Sequence, residues 1–88
     1  VSFRIQIGVF KDNLSAKDLE KLTKISNLTK EPSGNFYKYY SSSFNNFLDA
    51  SSELEMIKLA GFADAFMIAQ KNGALISIEK ARTLLNNN

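Results

Sequence analysis

Two short segments carry the side chains best suited to chemistry. Arg4 and Gln6 lie in Phe3-Arg4-Ile5-Gln6-Ile7-Gly8-Val9-Phe10, and Phe36, Lys38 and Tyr40 lie in Phe36-Tyr37-Lys38-Tyr39-Tyr40. Within each segment these residues are spaced by two, so an extended strand sets them on one face. The chemistry they offer is recognition. Gln6 can both donate and accept hydrogen bonds. Phe36 and Tyr40 offer flat rings, and Arg4 and Lys38 add two cations. Catalysis lacks its parts. The 88 residues include no His and no Cys, which removes the usual general base, zinc ligand and thiolate nucleophile. The Asp and Glu residues mostly sit beside Lys at helix spacing, the pattern of solvated faces rather than of a paired-carboxylate site. No Gly-rich phosphate loop or nucleophile elbow occurs. The expectation is a non-enzyme with no catalytic residue, no metal ligand and no cofactor.

The elements that must position these residues come from a repeat. Sliding the chain by 34 positions lays Phe10 on Phe44, Leu14 on Leu48, Ala16 on Ala50 and Lys24 on Lys58 without a gap. Arg4 falls on Lys38, Gln6 on Tyr40, and Leu22, Ile25 and Leu28 on Met56, Leu59 and Phe62. Each unit reads as strand, loop and helix, and self-similarity of this kind marks a duplicated supersecondary unit. The units span about 3–34 and 36–70, with an extension at 71–88, all in one small domain.

In the first unit, the alternation of residues 3–9 predicts a half-buried strand with Ile5, Ile7 and Val9 inward and Arg4, Gln6 and Gly8 outward. Lys11-Asp12-Asn13 reads as a turn. Ser15 with Asp18 predicts a capped helix to about Ser26, burying Ala16, Leu19, Leu22 and Ile25. A short second strand follows at 28–31, and Pro32 marks it as an edge. In the second unit, Tyr37 and Tyr39 of the third strand point inward. Asp49 is expected to cap a helix ending near Ala60, before Gly61, and a fourth strand covers 63–70. Asn72-Gly73 predicts a type I′ hairpin into a fifth strand at 74–76. Ser77 caps a last short helix, and Asn86-Asn87-Asn88 are expected to fray.

The predicted fold class is α+β. Its order is the ferredoxin-like β-α-β-β-α-β, with an antiparallel sheet, both long helices on one face, and the hairpin strand and short helix added. The first and third strands would be central, and Arg4, Gln6, Phe36, Lys38 and Tyr40 would share the uncovered face. The expected core is Ile5, Ile7, Leu19, Leu22, Ile57, Phe62, Phe66 and Ile68.

Charge narrows the partners. The net charge is +2, with seven basic against four acidic residues in 1–44 and four against five in 45–88. That slight excess does not mark a polyanion binder. The topology is shared with RNA-recognition motifs, but the third strand lacks their Lys/Arg-Gly-aromatic-Gly/Ala-Phe pattern, so nucleic acid is not an expected partner. No apolar run approaches a membrane span, so no membrane insertion is expected. The chain opens on Val1, as a piece of a longer protein would.

The stretch Phe3-Arg4-Ile5-Gln6-Ile7-Gly8-Val9-Phe10, followed by Ala16 and an amphipathic helix, resembles the opening of SPOR domains, with their Val-Gln-x-Gly-x-Phe strand end. The likeness extends over about residues 3–70. Gly61 to Ala69 and the later Asn72-Gly73 look like the end of the SPOR-like domains of Bacteroidetes-type bacteria. The resemblance implies a non-catalytic module that binds peptidoglycan, above all glycan strands stripped of stem peptides, in the periplasm or cell envelope as part of a division or wall protein. Gln6 stands at the family's sheet-face glutamine, and Phe36 stands near the exposed aromatic of some members. Arg4, Lys38 and Tyr40 complete the expected ligand face. Val9 and Ser42 depart from the family, which often has Ser and Gly there. They favour the alternative, a SPOR-like scaffold docking other envelope proteins without glycan.

Overall fold

The computed structural model describes residues 1–11, 14–25 and 27–86. The turn expected at Asp12 and Asn13, the helix end at Ser26 and the fraying of Asn87 and Asn88 lie outside the described residues. The elements run β1 (Ser2–Phe10), α1 (Ala16–Leu22), β2 (Thr29–Ser33), β3 (Phe36–Tyr40), α2 (Phe47–Leu59), β4 (Phe66–Lys71), β5 (Ala74–Ile76) and α3 (Ile78–Asn86). The fold is α+β. Its five strands form one antiparallel sheet in the order β2-β3-β1-β4-β5. Pro32 pairs with Tyr37 on the edge strand β2, where its missing N–H costs the ladder least. Asn72 and Gly73 both take positive φ, 53° and 81°, as a type I′ turn between β4 and β5 requires.

All three helices pack on the face that β1 presents through Phe3, Ile5 and Ile7. One cluster joins Ile5 and Ile7 to Leu22, Ile25, Ile57, Phe62 and Ala65. A second joins Phe3 to Ala50, Ala69 and Ala81. The small residues of that second cluster let α2 and α3 approach the sheet closely over the Phe3 ring. Phe47 meets that ring edge-on, with centroids 5.9 Å apart.

The structure corrects several expectations. The first is the facing of β1 beyond Ile7. Gln6 pairs with Tyr40 but Gly8 pairs with Tyr39, so β1 holds one extra residue, a β-bulge. The bulge flips the period of two. Val9 turns outward, 48 % exposed, and Phe10 turns inward onto Tyr39 and Phe62, with ring centroids 5.5 and 6.2 Å away. Gly8 makes room for this, because a Cβ there would meet the Phe10 ring at 2.9 Å.

The helices are also corrected. The Asn46 side chain, three residues ahead of the expected cap, accepts from the Asp49 N–H at 2.8 Å and donates to the Asp49 carboxylate at 3.0 Å. Asp49 is therefore the third residue of the helix, and Asn46 is the cap. This earlier start puts α2 out of phase with the repeat. Ala50 and Ile57 are buried, whereas Met56 and Leu59, the counterparts of buried Leu22 and Ile25, face solvent. The Ser15 cap of α1 forms as expected, its side chain accepting from the Asp18 N–H at 3.1 Å. The helix ends at Leu22, however, so only its last turn reaches the core and Ala16 and Leu19 are exposed. Gly61 follows α2 at φ +115°, and the Ser77 hydroxyl accepts from the Lys80 N–H at 3.0 Å to start α3.

Where β3 leaves the ladder, a side chain stands in for backbone. Ser41 N–H donates to the Ile5 carbonyl, and the Ile5 N–H donates to Ser41 Oγ, each at 3.0 Å. Ser41 Oγ in turn donates to the Ser42 carbonyl at 2.9 Å. Ser41 is 2 % exposed. Ser41→Ala should therefore cost about 1–3 kcal/mol, because it strands the buried Ile5 N–H. Ser42→Ala should change stability by less than about 0.5 kcal/mol, since Ser42 contributes only a carbonyl that survives the change. Urea titration of both variants checks this, and equal losses would show that the hydroxyl is not the partner that matters.

Candidate functional site: the uncovered sheet face

The face opposite the helices collects the alternate residues of every strand. β1 supplies Arg4, Gln6 and, beyond the bulge, Val9. β3 supplies Phe36, Lys38 and Tyr40, and the register sets Gln6 beside Tyr40 and Val9 beside Lys38. The strands thus bring together all five residues expected to bind a ligand. They do not present them equally.

Tyr40 is the correction. A place on the uncovered face implies a ring in solvent, but Tyr40 is 7 % exposed. The Arg4 guanidinium lies over its ring, 3.9 Å from the centroid. Glu31 on β2 holds that guanidinium through a 2.9 Å ion pair to Arg4 Nη2. Cation–π attraction and the carboxylate together pin Arg4 flat over the ring. Tyr40 is thus the floor of the site and Arg4 its cover. The Arg4 Nε is buried and has no partner among the described residues. Gln6 and Lys38 are half-buried and Phe36 is 40 % exposed, all open to a ligand.

β4 was read with the opposite facing. Met67 and Ala69 point to the core, and Phe66 and Ile68 stand on the uncovered face. Phe66 is 49 % exposed and pairs directly with Gln6; Ile68 is half-buried and pairs with Arg4. Neither belongs to the core assigned to it. Leu75 of β5, paired with Gln70, adds a further exposed side chain. The sequence signal that could have found this facing is Ala69. An alanine between larger residues marks a close helix approach, here by α3, and its alternate neighbours must then face away.

Elsewhere the surface offers little chemistry. A groove of about 370 Å³ between the start of α2 and α3 is lined by Asn46, Phe47, Leu48, Arg82 and Leu85. Arg82 covers the Phe47 ring there at 4.2 Å. Among the described residues no three or more Asp or Glu gather as a metal site, and no helix is long and apolar enough to cross a membrane.

Fold and site define a small α+β domain with helices on one side of its sheet and an open, mixed aromatic, aliphatic and polar face on the other. Compared with known protein families, curated proteins and solved structures, the chain matches none.

Proposed function

We propose that the chain is a non-catalytic binding module whose uncovered sheet face takes peptidoglycan glycan strands, in the periplasm or envelope of a bacterium, as part of a longer wall or division protein. The core wiring is read as ferredoxin-like, with strand order β2-β3-β1-β4, extended by β5 and α3. The observation that carries the reading is the pairing of Gln6 with the exposed Phe66 in the middle of that face. N-acetyl sugars present flat apolar rings edged by hydroxyls and amides. An aromatic ring stacks on the first, and a glutamine amide answers the second by both donating and accepting. Phe36 and Lys38 extend the contact along β3. Arg4, seated on Tyr40 and 18 % exposed, adds a cation at the edge of the contact.

Retention on purified sacculi, with and without amidase removal of stem peptides, tests this. Wild-type chain is expected to be retained, more so on stripped strands. Gln6→Ala and Phe66→Ala should each weaken retention about tenfold, near 1.4 kcal/mol, with unchanged melting temperature. Added salt should change little, in contrast to the steep loss of a polyanion binder. No retention at any salt would remove the glycan reading. It would leave the second one, an envelope scaffold, which the exposed aliphatic Val9 and Leu75 on this face favour.

A further inference from the structure

The strands of the uncovered face carry three charged residues, Arg4, Glu31 and Lys38, and two of them cancel. The register sets Glu31 directly across from Lys38 on the neighbouring strand. A carboxylate and an ammonium so placed ordinarily pair. Glu31 instead turns to Arg4, meeting its Nη2 at 2.9 Å. Arg4 is itself held flat on the Tyr40 ring. That arrangement leaves Lys38 with no ion pair among the described residues. Lys11, exposed just past the end of β1, has the same sign.

Lys38 is not a rim lysine. It lies on β3, which has β2 on one side and β1 on the other, and it is half-buried. Val9 stands across from it on β1, and Phe36 and Tyr40 are its neighbours on the same face of β3. A cation on a stem set among apolar neighbours attracts an anion more strongly than one in open water. Its place relative to Gln6 is also fixed. Gln6 pairs with Tyr40, and Lys38 is two residues along β3 from Tyr40. With strands ~4.8 Å apart and ~3.3 Å of rise per residue, Lys38 lies ~8 Å diagonally from Gln6. A sugar held at Gln6 and Phe66 therefore brings its ring substituents within reach of the lysine stem.

We propose that Lys38 makes this face selective for sugars that carry a carboxylate. This deepens the glycan reading and rests on it. On a peptidoglycan strand the carboxylate is that of the lactyl ether of muramic acid. While the stem peptide is attached, that group is a neutral amide. Amidase hydrolysis breaks the C–N bond, leaving the carboxylate on the sugar and the amine on the departing peptide. The Lys38 ammonium donates to the freed carboxylate while Gln6 and Phe66 hold the ring. One such pair keeps the salt dependence shallow, because the slope grows with the number of charges engaged.

The test compares sacculi stripped by amidase with the same stripped sacculi whose carboxylates have then been converted to amides by carbodiimide and ammonia. The two differ in charge and hardly in size. Wild-type chain should be retained about fivefold less on the amidated strands. Lys38→Gln should lower retention on the carboxylate strands to that same level and remove the difference between the two. Lys38→Arg should restore it. Gln6→Ala should weaken retention on both and keep their ratio. Far-UV circular dichroism checks folding, and the wild-type comparison stands whether or not a variant folds. Wild-type retention that ignores amidation overturns this proposal while the glycan reading stands. So does a folded Lys38→Gln that still tells the two strands apart. No retention on either kind of strand removes the glycan reading and this selectivity with it.

Discussion

Phe3→Ala is expected to cost about 3–5 kcal/mol, the largest loss of any single truncation in this chain. Phe3 is fully buried, and its ring is the one large side chain among the fully buried members of its cluster, beside Ala50, Ala69 and Ala81, with Phe44, Phe47, Met67, Ile76, Ile78 and Leu85 packed partly buried around them. The three alanines have no side chain to move into the space, and the larger neighbours at the rim refill it only in part. A cavity term then adds to the lost transfer energy. The backbone offers no relief. Phe3 exchanges two hydrogen bonds with Phe44, of 2.8 and 2.7 Å, which fix the strand where the ring leaves it. An 88-residue domain has roughly 4–13 kcal/mol of total stability, so the variant should sit near its unfolding midpoint in little denaturant. A loss under about 1 kcal/mol in urea titration would mean that α2 and α3 collapse onto the vacancy.

That cluster was not legible in the sequence, for a reason its composition explains. Hydrophobic patterning finds large side chains at regular spacing. A layer of alanines around one phenylalanine gives no such signal, and Phe3 looked like the mere start of a strand. The Ile5–Ile7–Leu22–Ile57–Phe62 cluster was legible, because branched side chains at strand and helix spacing announce it. The sheet was legible at its turns. Pro32 marked the edge strand, and Asn72-Gly73 marked the hairpin.

The misreadings share one cause. Each assumed that a period runs unbroken. Along β1 the alternation of two is interrupted by the bulge at Ile7 and Gly8, so Val9 emerges on the uncovered face. Along β4 nearly every residue is apolar, and alternation cannot say which half points in; the helix on the far side decides. The 34-residue repeat keeps the strands in step, with Arg4 over Lys38 and Gln6 over Tyr40 on one face. It fails in the helices, since Asn46 caps α2 three residues before the position equivalent to Ser15. The site suffered accordingly. Gln6, Phe36, Lys38 and Arg4 were placed correctly by strand logic. The burial of Tyr40 depends on Glu31 reaching Arg4 from another strand, a contact 27 residues apart in sequence.

The helix facing gives the second large effect. Leu22→Ala should destabilise the chain by about 2–5 kcal/mol, whereas Leu19→Ala, one turn earlier on α1, should change stability by less than about 1 kcal/mol. Both leucines lie in the stripe expected to be buried. In the folded chain Leu22 is 4 % exposed and touches the central cluster, while Leu19 is 50 % exposed. The difference follows from how α1 is held. It has seven residues, too few to be stable alone. Beyond its cap and Leu14 packed against the core just ahead of it, what ties it down is its C-terminal end: Leu22, the following Ile25 in the core, and Lys21, whose ammonium donates to the Gly61 carbonyl at 3.3 Å. Leu22 therefore carries the docking of the whole helix. Its loss should appear both as a lower urea midpoint and as early hydrogen exchange at the α1 amides. Equal losses for Leu19 and Leu22 would require a helix lying flat on the sheet, the arrangement that the unbroken periodicity predicted and that the early end of α1 at Leu22 replaces.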